Sequence, residues 1–308
     1  MSNAAAAPIA LPAGLPRTAI IGAAGFLGRA FLEAYRRADP GTIGTARVAA
    51  PGLAQLDLTS LGDLPARLAD TGHREALILA GVASIVRCER DPAETRAVNV
   101  EGTLRLAEAL LAAGVRPVFA SSDYVFDGAR GGYREGDAAT PGTEYGRQKA
   151  ETEARLLAAS GGDCRILRLS KVFAIERGGR TLLDEIASRL VAGAGMDAAA
   201  DGIFCPTLLQ DLVTAVALVQ ARDLRGVVHV CGPEARSWHD LAAAMASALG
   251  VDPLLVRRCS LDAIQRDPRR PKNISMSNER LVAATGCVFT PIAQSVARVA
   301  ALWRGAAR

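Results

Sequence analysis

The stretch TAIIGAAGFLG, residues 18–28, decides the fold. Thr18–Ile21 is a short β-type apolar run, broken by glycines at 22, 25 and 28 and followed by a helical pattern from Arg29 to Arg37. A glycine-rich turn between a strand and a helix is the setting of a dinucleotide-binding fingerprint. Gly22 permits the tight turn and Gly25 lets the backbone approach a pyrophosphate. Gly28 lets the helix pack close to the sheet, its N-terminus facing the phosphates. The spacing is three and three rather than G-x-G-x-x-G, and such turns also serve packing alone. The motif therefore takes its weight from its surroundings.

Strand-like runs recur at Thr42–Arg47, Ala76–Ala80, Pro117–Ser121, Cys164–Leu169 and Gly226–Cys231. Amphipathic helical patterns lie between several of them, notably Ala93–Ala113 and Glu144–Ala159. Strands alternating with helices predict an α/β protein with a Rossmann-type, doubly wound parallel sheet covered on both faces. After Leu169 the alternation thins, and Pro/Arg-rich loops appear at 252–272. The expected organisation is a flexible tail over 1–16, a dinucleotide-binding domain over 17–170 and a smaller, mixed C-terminal substrate lobe over 171–308. The segment from about 207 to 231 is expected to return to the main sheet. In the lobe, Ser237 can cap a helix whose third residue is Asp240.

Composition narrows the class. Half of the 308 residues are hydrophobic, too many for a disordered chain, yet no run of about 18 apolar residues offers a membrane span. A net charge of +4 does not by itself imply nucleic acid. Of the 36 basic residues 33 are Arg; the three lysines are Lys149, Lys171 and Lys272, so each invites a specific question. Arg257, Arg258, Arg266, Arg269, Arg270 and Lys272 stand against Asp262 and Asp267, as a solvated surface or as a wall for an anionic ligand. The six scattered cysteines and three unclustered histidines (His73, His229, His239) favour reduced thiols in a cytoplasmic protein and give no metal site. The opening residues lack a basic n-region and are broken by Pro8, Pro12 and Pro16, which argues against an export signal.

Two further patterns point to chemistry. About 20 residues past the glycines, where a ribose-selecting acid marks an NAD site, the sequence is Gly44-Thr45-Ala46-Arg47. No acid is present, and Arg47 can form a bidentate pair with a 2′-phosphate, which favours NADP(H) over NAD(H). A plain surface arginine is the alternative. Asp57 is a candidate acceptor for the adenine amino group. Further on, Tyr145 and Lys149 are four apart in a helical stretch and so share one face. An ammonium beside a phenol favours the phenolate and suits it to proton transfer. Upstream, Ser121 and Ser122 close a predicted strand, at the carboxyl end where ligands bind open α/β sheets. A serine there can hydrogen-bond a carbonyl undergoing reduction, and Asn99 can complete a proton relay.

These residues resemble the extended short-chain dehydrogenase/reductases. The resemblance rests on the glycine triplet, on NVEGT at 99–103 and on Tyr145-x-x-x-Lys149. SSDYVFDG at 121–128 with YRE at 133–135 is similar to the dTDP-4-dehydrorhamnose reductase-like branch. DGIFCPT at 201–207 with Asp211, the segment 226–234 and RPKN at 270–273 extend the likeness over nearly all of 18–290. The resemblance implies hydride transfer from NAD(P)H to a keto-sugar nucleotide. It gives Ser122 the carbonyl-polarising role, Tyr145 that of general acid, and Lys149 ribose binding and activation of Tyr145. Asp123 and Tyr124, with Ser122, become substrate contacts. Phe26, Leu27, Leu58, Ala80, Gly81 and Ser170 join the glycines, Arg47, Asp57, Tyr145 and Lys149 as cofactor contacts. Lys171 falls beside the nicotinamide or packs on a loop. Phe26 departs from the family's polar residue in the glycine loop, and AGVA at 80–83 matches its N-x-A-A string only loosely.

The leading expectation is an NADPH-dependent reductase of a nucleotide-linked 4-keto sugar, most plausibly dTDP-4-dehydrorhamnose, with no nucleic-acid or membrane partner. A homodimer is the family-level expectation. Alternatives are an epimerase or dehydratase that retains NAD, and a non-catalytic NADP-binding regulatory subunit.

Overall fold

A computed structural model describes residues 9–265 and 270–304 of the chain; Arg266, Asp267 and Arg269 of the basic loop, like Pro8 of the tail, lie outside the described residues. Contacts divide the chain into two units that interleave along the sequence. The first takes the described residues up to Ala120, then Glu151–Leu167 and Val213–Val227; the second takes Ser121–Ala150, Arg168–Leu212 and the described residues from Val228 on.

Seven strands carry the dinucleotide-type topology: β1 (Thr18–Ile21), β2 (Thr45–Ala46), β3 (Ala54–Gln55), β4 (Glu75–Ile78), β5 (Arg116–Ser122), β6 (Arg165–Leu169) and β7 (Gly226–Val230). Five form one sheet in the order β1-β4-β5-β6-β7. β1 pairs in parallel with β4, Thr18 opposite Glu75, and β4 in parallel with β5, Ile78 opposite Phe119. On the other side of β1, a parallel bridge joins Ile20 to Gly44, and Ala23 N–H donates to the Thr45 carbonyl at 2.7 Å. β2 then pairs in parallel with β3. The strand order thus reverses between β1 and β4, the point beside which ligands bind in open α/β sheets. The predicted strand at Thr42–Arg47 shrinks to two residues, because the turn at Arg47–Leu53 pulls the chain away.

The central strands are buried on both faces, and their alternation shows it. Ala19, Ile21, Ala76, Ile78, Phe119 and Ile166 share one hydrophobic cluster with Leu64, Leu68, Leu104, Leu110 and Leu156 from three helices. Ile20, Leu77, Val118 and Leu167, equally buried, are the alternate residues of the same strands and face the opposite side. The glycine-loop helix Phe26–Ala38 hides Phe31, Leu32 and Tyr35. Burying a leucine or isoleucine of this kind stabilises by about 1.5–3 kcal/mol.

The long helix expected over Ala93–Ala113 is not continuous. It begins as a short turn, Pro92–Arg96, widens into a π-type segment at Ala97–Gly102 and resumes as an α-helix over Thr103–Ala112. At Gly102 a Cβ would come within 2.6 Å of the Leu58 carbonyl oxygen, so the backbones touch there.

The second unit is not the smaller of the two, because residues 121–150 and 168–212 belong to it together with the C-terminal quarter. Its core joins three helices, Leu182–Val191, Trp238–Leu249 and Ile292–Arg304, through Leu183, Ile186, Leu241, Met245, Val296 and Val299. Ser237 caps the helix as expected, and Asp240 makes the cap reciprocal: Ser237 Oγ accepts from Asp240 N–H at 3.0 Å, and Asp240 Oδ2 from Ser237 N–H at 3.2 Å. Within the Pro/Arg-rich region, Val256–Cys259 pairs in parallel with Met196–Ala199.

Candidate functional site

In the first unit, β1 ends in the glycine loop. Gly22 has φ +91°, and a Cβ there would lie 2.7 Å from Ala80 N, so both conformation and space require glycine. A Cβ at Gly28 would overlap the Gly22 carbonyl, which lets the helix start close against the strand. Gly25 differs. Its φ is −74°, and a Cβ would meet only the Gly22 oxygen at 3.4 Å, an ordinary contact. Among the described residues nothing demands glycine at 25, and its exposed backbone heads a 13-residue helix with no side-chain cap and no acid in its first turn. An uncapped helix start of this kind is suited to an anion. Phe26 is exposed beside it and Leu27 half-buried.

Thr45 was not singled out in the sequence, yet its buried hydroxyl accepts from Gly22 N–H at 3.1 Å and its carbonyl from Ala23 N–H. It pins the loop from β2. No spacing rule marks it; only the neighbouring strand reveals it. Arg47, just beyond, is exposed, and among the described residues it forms no ion pair. Asp57 Oδ1 accepts from both Thr59 N–H (2.8 Å) and its hydroxyl (2.7 Å), and these bonds hold the carboxyl below its ordinary range. The Leu58 side chain is buried in the core, and its carbonyl lies against Gly102 and accepts from Arg105 at 3.5 Å. Asn99 lies in the π segment, with its amide turned to Val82, after β4, and, at 3.8 Å, to Cys88 Sγ. Its Oδ1 accepts from Val82 N–H at 2.7 Å and its Nδ2 donates to the Val82 carbonyl at 3.0 Å. It therefore fixes the loop that carries Ala80 and Gly81, with Gly81 pressed against the same Oδ1.

The second unit gathers Ser122, Asp123, Tyr124, Tyr145, Lys149 and Ser170. Ser122 ends β5 and caps a turn of 3₁₀ helix, Asp123–Val125, by accepting from Tyr124 N–H at 3.2 Å. Tyr145 and Lys149 occupy successive turns of the helix Glu144–Ala159; each is about nine-tenths buried, and the ammonium lies 5.9 Å from the phenol ring centroid. The Tyr124 ring meets that of Tyr145 edge-on at 6.0 Å. Two further residues make this approach possible. A Cβ at Gly146 would overlap the Tyr124 carbonyl oxygen, and the fully buried Thr143 accepts from Gly146 N–H at 3.1 Å. Gly146 stands inside the Tyr-x-x-x-Lys string, but only the packing shows its purpose.

Asp123 is buried and accepts from Ser170 Oγ at 2.8 Å and Ser122 Oγ at 3.0 Å. Burial pushes its carboxyl up to about 6 against these bonds and the Lys171 charge. Burial, with the Asp123 charge second, pushes the Tyr124 phenol up to about 12. The Ser170 side chain is committed to Asp123, so any cofactor contact there falls to its backbone. Lys171 is exposed, its ammonium 5.8 Å from the Trp238 ring centroid. Lys272 does not face an open anion wall: Asp201, at 3.1 Å, and Asp262 both pair with it. Arg257 likewise pairs with Asp197 at 2.8 Å. The lobe's acids neutralise much of the local positive charge, an effect visible only when β-pairing brings 197–201 beside 256–262.

The same chain has recognisable relatives. The family described as RmlD substrate binding domain matches residues 17–304. A probable dTDP-4,6-dihydroxy-2-methyloxan-3-one 4-ketoreductase of Streptomyces antibioticus is 31% identical over 274 residues, covering 86% of this chain and 88% of the relative. A dTDP-4-dehydrorhamnose reductase of Mycolicibacterium smegmatis is 32% identical over 274 residues, 87% of this chain and 80% of that one. A crystal structure of dTDP-4-dehydrorhamnose reductase from Bacillus anthracis in complex with NADP shares the fold, with a TM-score of 0.77 at 22% identity over 92% of this chain and 98% of its own. The family match runs along nearly the whole length: the chain belongs to the RmlD substrate binding domain family, within the extended short-chain dehydrogenase/reductases.

Proposed function

We propose that this protein is an oxidoreductase that uses NADPH to reduce the 4-keto group of a nucleotide-linked sugar, dTDP-4-dehydrorhamnose or a close analogue. One observation carries the reading. Tyr145 and Lys149, both nearly buried, share one face of their helix with an ammonium beside a phenol, in the same unit as the strand-end hydroxyl of Ser122. The names of the relatives, 4-ketoreductase and dTDP-4-dehydrorhamnose reductase, agree with that chemistry.

The first unit has features that fit a dinucleotide. Gly25, for which the described residues show no steric need, and the uncapped start of its helix suit the pyrophosphate, and Arg47, without an ion pair among the described residues, suits a 2′-phosphate. The nicotinamide, when bound, supplies the hydride. Ser122 donates a hydrogen bond to the keto oxygen and draws charge onto it. As C4 gains hydride, its C=O π bond opens and the oxygen takes the proton of the Tyr145 hydroxyl. Lys149 stabilises the phenolate left behind and holds the nicotinamide ribose. Asn99 acts through the loop it fixes, keeping Ala80 and Gly81 in place. Tyr124 packs on Tyr145 and confines the sugar.

The test is direct: purified protein is mixed with NADPH and dTDP-4-dehydrorhamnose, and absorbance at the reduced nicotinamide band is followed. Turnover is expected, with Tyr145→Phe lowering kcat by about 10²–10⁴. NADPH oxidation no faster than in that variant would sink the proposal.

A further inference from the structure

The hydroxyl of Ser122 points the wrong way for its task. With Asp123 ionised, both carboxylate oxygens only accept, and the Ser122 hydrogen is committed inward to Oδ1 at 3.0 Å. Ser122 Oγ also receives Tyr124 N–H at 3.2 Å. A serine has one hydrogen, so it cannot donate to a keto oxygen while donating to Asp123. On the other side, Ser170 Oγ accepts from Cys205 N–H at 3.2 Å and gives its own hydrogen to Oδ2 at 2.8 Å. Ser170 has no part in the proposed reduction and can keep donating to Oδ2, so the proton is assigned to Oδ1, beside the serine whose hydrogen must turn outward.

From this chain of bonds we infer that Asp123 is a positioning residue that sets the direction of the Ser122 hydroxyl: protonated on Oδ1, it donates to Ser122 Oγ and frees the serine hydrogen for the substrate carbonyl. In that state Ser122 Oγ accepts from Asp123 and from Tyr124 N–H and donates outward, which uses its full capacity. No proton is transferred from Asp123 in the reaction; the proton delivered to the alkoxide remains that of Tyr145. The Asp123–Ser122 bond reverses only as the carboxyl gains or loses a proton to solvent, before or after turnover.

The surroundings suit a carboxyl that changes state near neutrality. Burial pushes Asp123 up to about 6. Lys171 faces it as a cation and opposes that rise. The other titratable groups that sense it are Tyr124, with its phenol held at about 12, and the thiols of Cys205 and Cys231, both of which donate to the Met276 carbonyl, at 3.4 and 3.6 Å.

The inference rests on the reductase reading for its kinetic arm alone; its spectroscopic arm needs no substrate. The infrared carbonyl stretch of a protonated carboxylic acid is followed in the full-length protein between pH 4 and 8. A band is expected that disappears with a midpoint near 6, is missing in Asp123→Asn and shifts in Ser122→Ala, where the acid loses its acceptor. A band unmoved by Ser122→Ala, or no titrating band assignable to Asp123, overturns the inference whether or not the protein turns over. In the kinetic arm, kcat of the wild type is expected to fall roughly tenfold from pH 5 to pH 7 through loss of the Asp123 proton. In Asp123→Asn, whose amide donates to Ser122 at every pH, that step is expected to vanish. Parallel profiles of the two proteins overturn the inference. A wild type without turnover at any pH overturns the reductase reading instead, and the Ser122→Ala band shift still decides the direction of the Asp123–Ser122 bond.

Discussion

Arg165 and Glu75 form an ion pair from which water is excluded: the guanidinium lies 2.6 Å from the carboxylate, and each side chain is 1% exposed. Glu75 also accepts from Gln220 Nε2 at 2.7 Å and pairs with Arg116 at 3.1 Å, while Tyr35 donates to the Gln220 carbonyl oxygen. The network ties the amino-terminal ends of β4, β5 and β6 to the helix Phe26–Ala38. Such a pair stabilises little against an apolar replacement of both partners, but removing Glu75 leaves the buried Arg165 with Asp223 as its remaining ion-pair partner among the described residues, at 2.7 Å. Glu75→Ala is expected to lower the unfolding free energy by about 1–3 kcal/mol in urea titrations, since Arg165 keeps Asp223. A loss below about 1 kcal/mol would mean that water reaches Arg165 in the native state.

Asp201 gives a pH dependence with a defined sign. Burial raises its carboxyl, but Leu261 N–H, the Ser260 hydroxyl and Lys272 outweigh it and hold it at about 2. A depressed carboxylate contributes stability that is fully present above its unfolded pKa and is lost as pH falls through the folded value. The contribution should therefore disappear between about pH 4 and pH 2. Asp201→Asn is expected to be less stable than the wild type at neutral pH, with the gap closing over that window in thermal melts. A gap independent of pH would assign the effect to packing.

Gly146 supplies a test of the Tyr145 helix. Gly146→Ala introduces a Cβ into the Tyr124 carbonyl, so either the helix start or Tyr124 must move. Stability is expected to fall by about 1–3 kcal/mol, as for other overpacked sites. Turnover is expected to fall by at least about tenfold in protein that remains folded, since small displacements of reacting groups are costly. Circular dichroism beside kcat separates the two effects; full activity would show that Tyr124 and Tyr145 tolerate the shift.

Arg47 tests the choice of dinucleotide. Arg47→Ala should raise the KM for NADPH by about 10–100-fold, the worth of charge-assisted hydrogen bonds to a phosphate, and leave that for NADH nearly unchanged. Equal changes for both cofactors would return Arg47 to a plain surface residue.

Gly22 and Gly28 were legible because steric demand leaves only one residue type, and the strand and helix beside them follow from periodicity. Tyr145 and Lys149 were legible because a spacing of four fixes a shared helix face. The break at Ala97–Gly102 was not, since its residues suit an ordinary helix; the widening accompanies the contact of Gly102 with Leu58 and the closure of Asn99 on Val82. Thr45 and Gly146 were equally silent, because what each touches comes from another strand or turn.

By itself, then, the sequence of the 33 arginines and three lysines, the glycine spacing and the strand–helix alternation determined an α/β framework and which residues can bear chemistry. Local sterics and periodicity act within a few residues, and a sequence displays them directly. The tertiary structure alone decided how those residues are used. It paired Lys272 with Asp201 and Asp262, and it turned the Ser122 hydroxyl toward Asp123. Partners distant in the chain, and the single hydrogen of a serine, are assigned only when folding sets donors and acceptors within about 3 Å of one another.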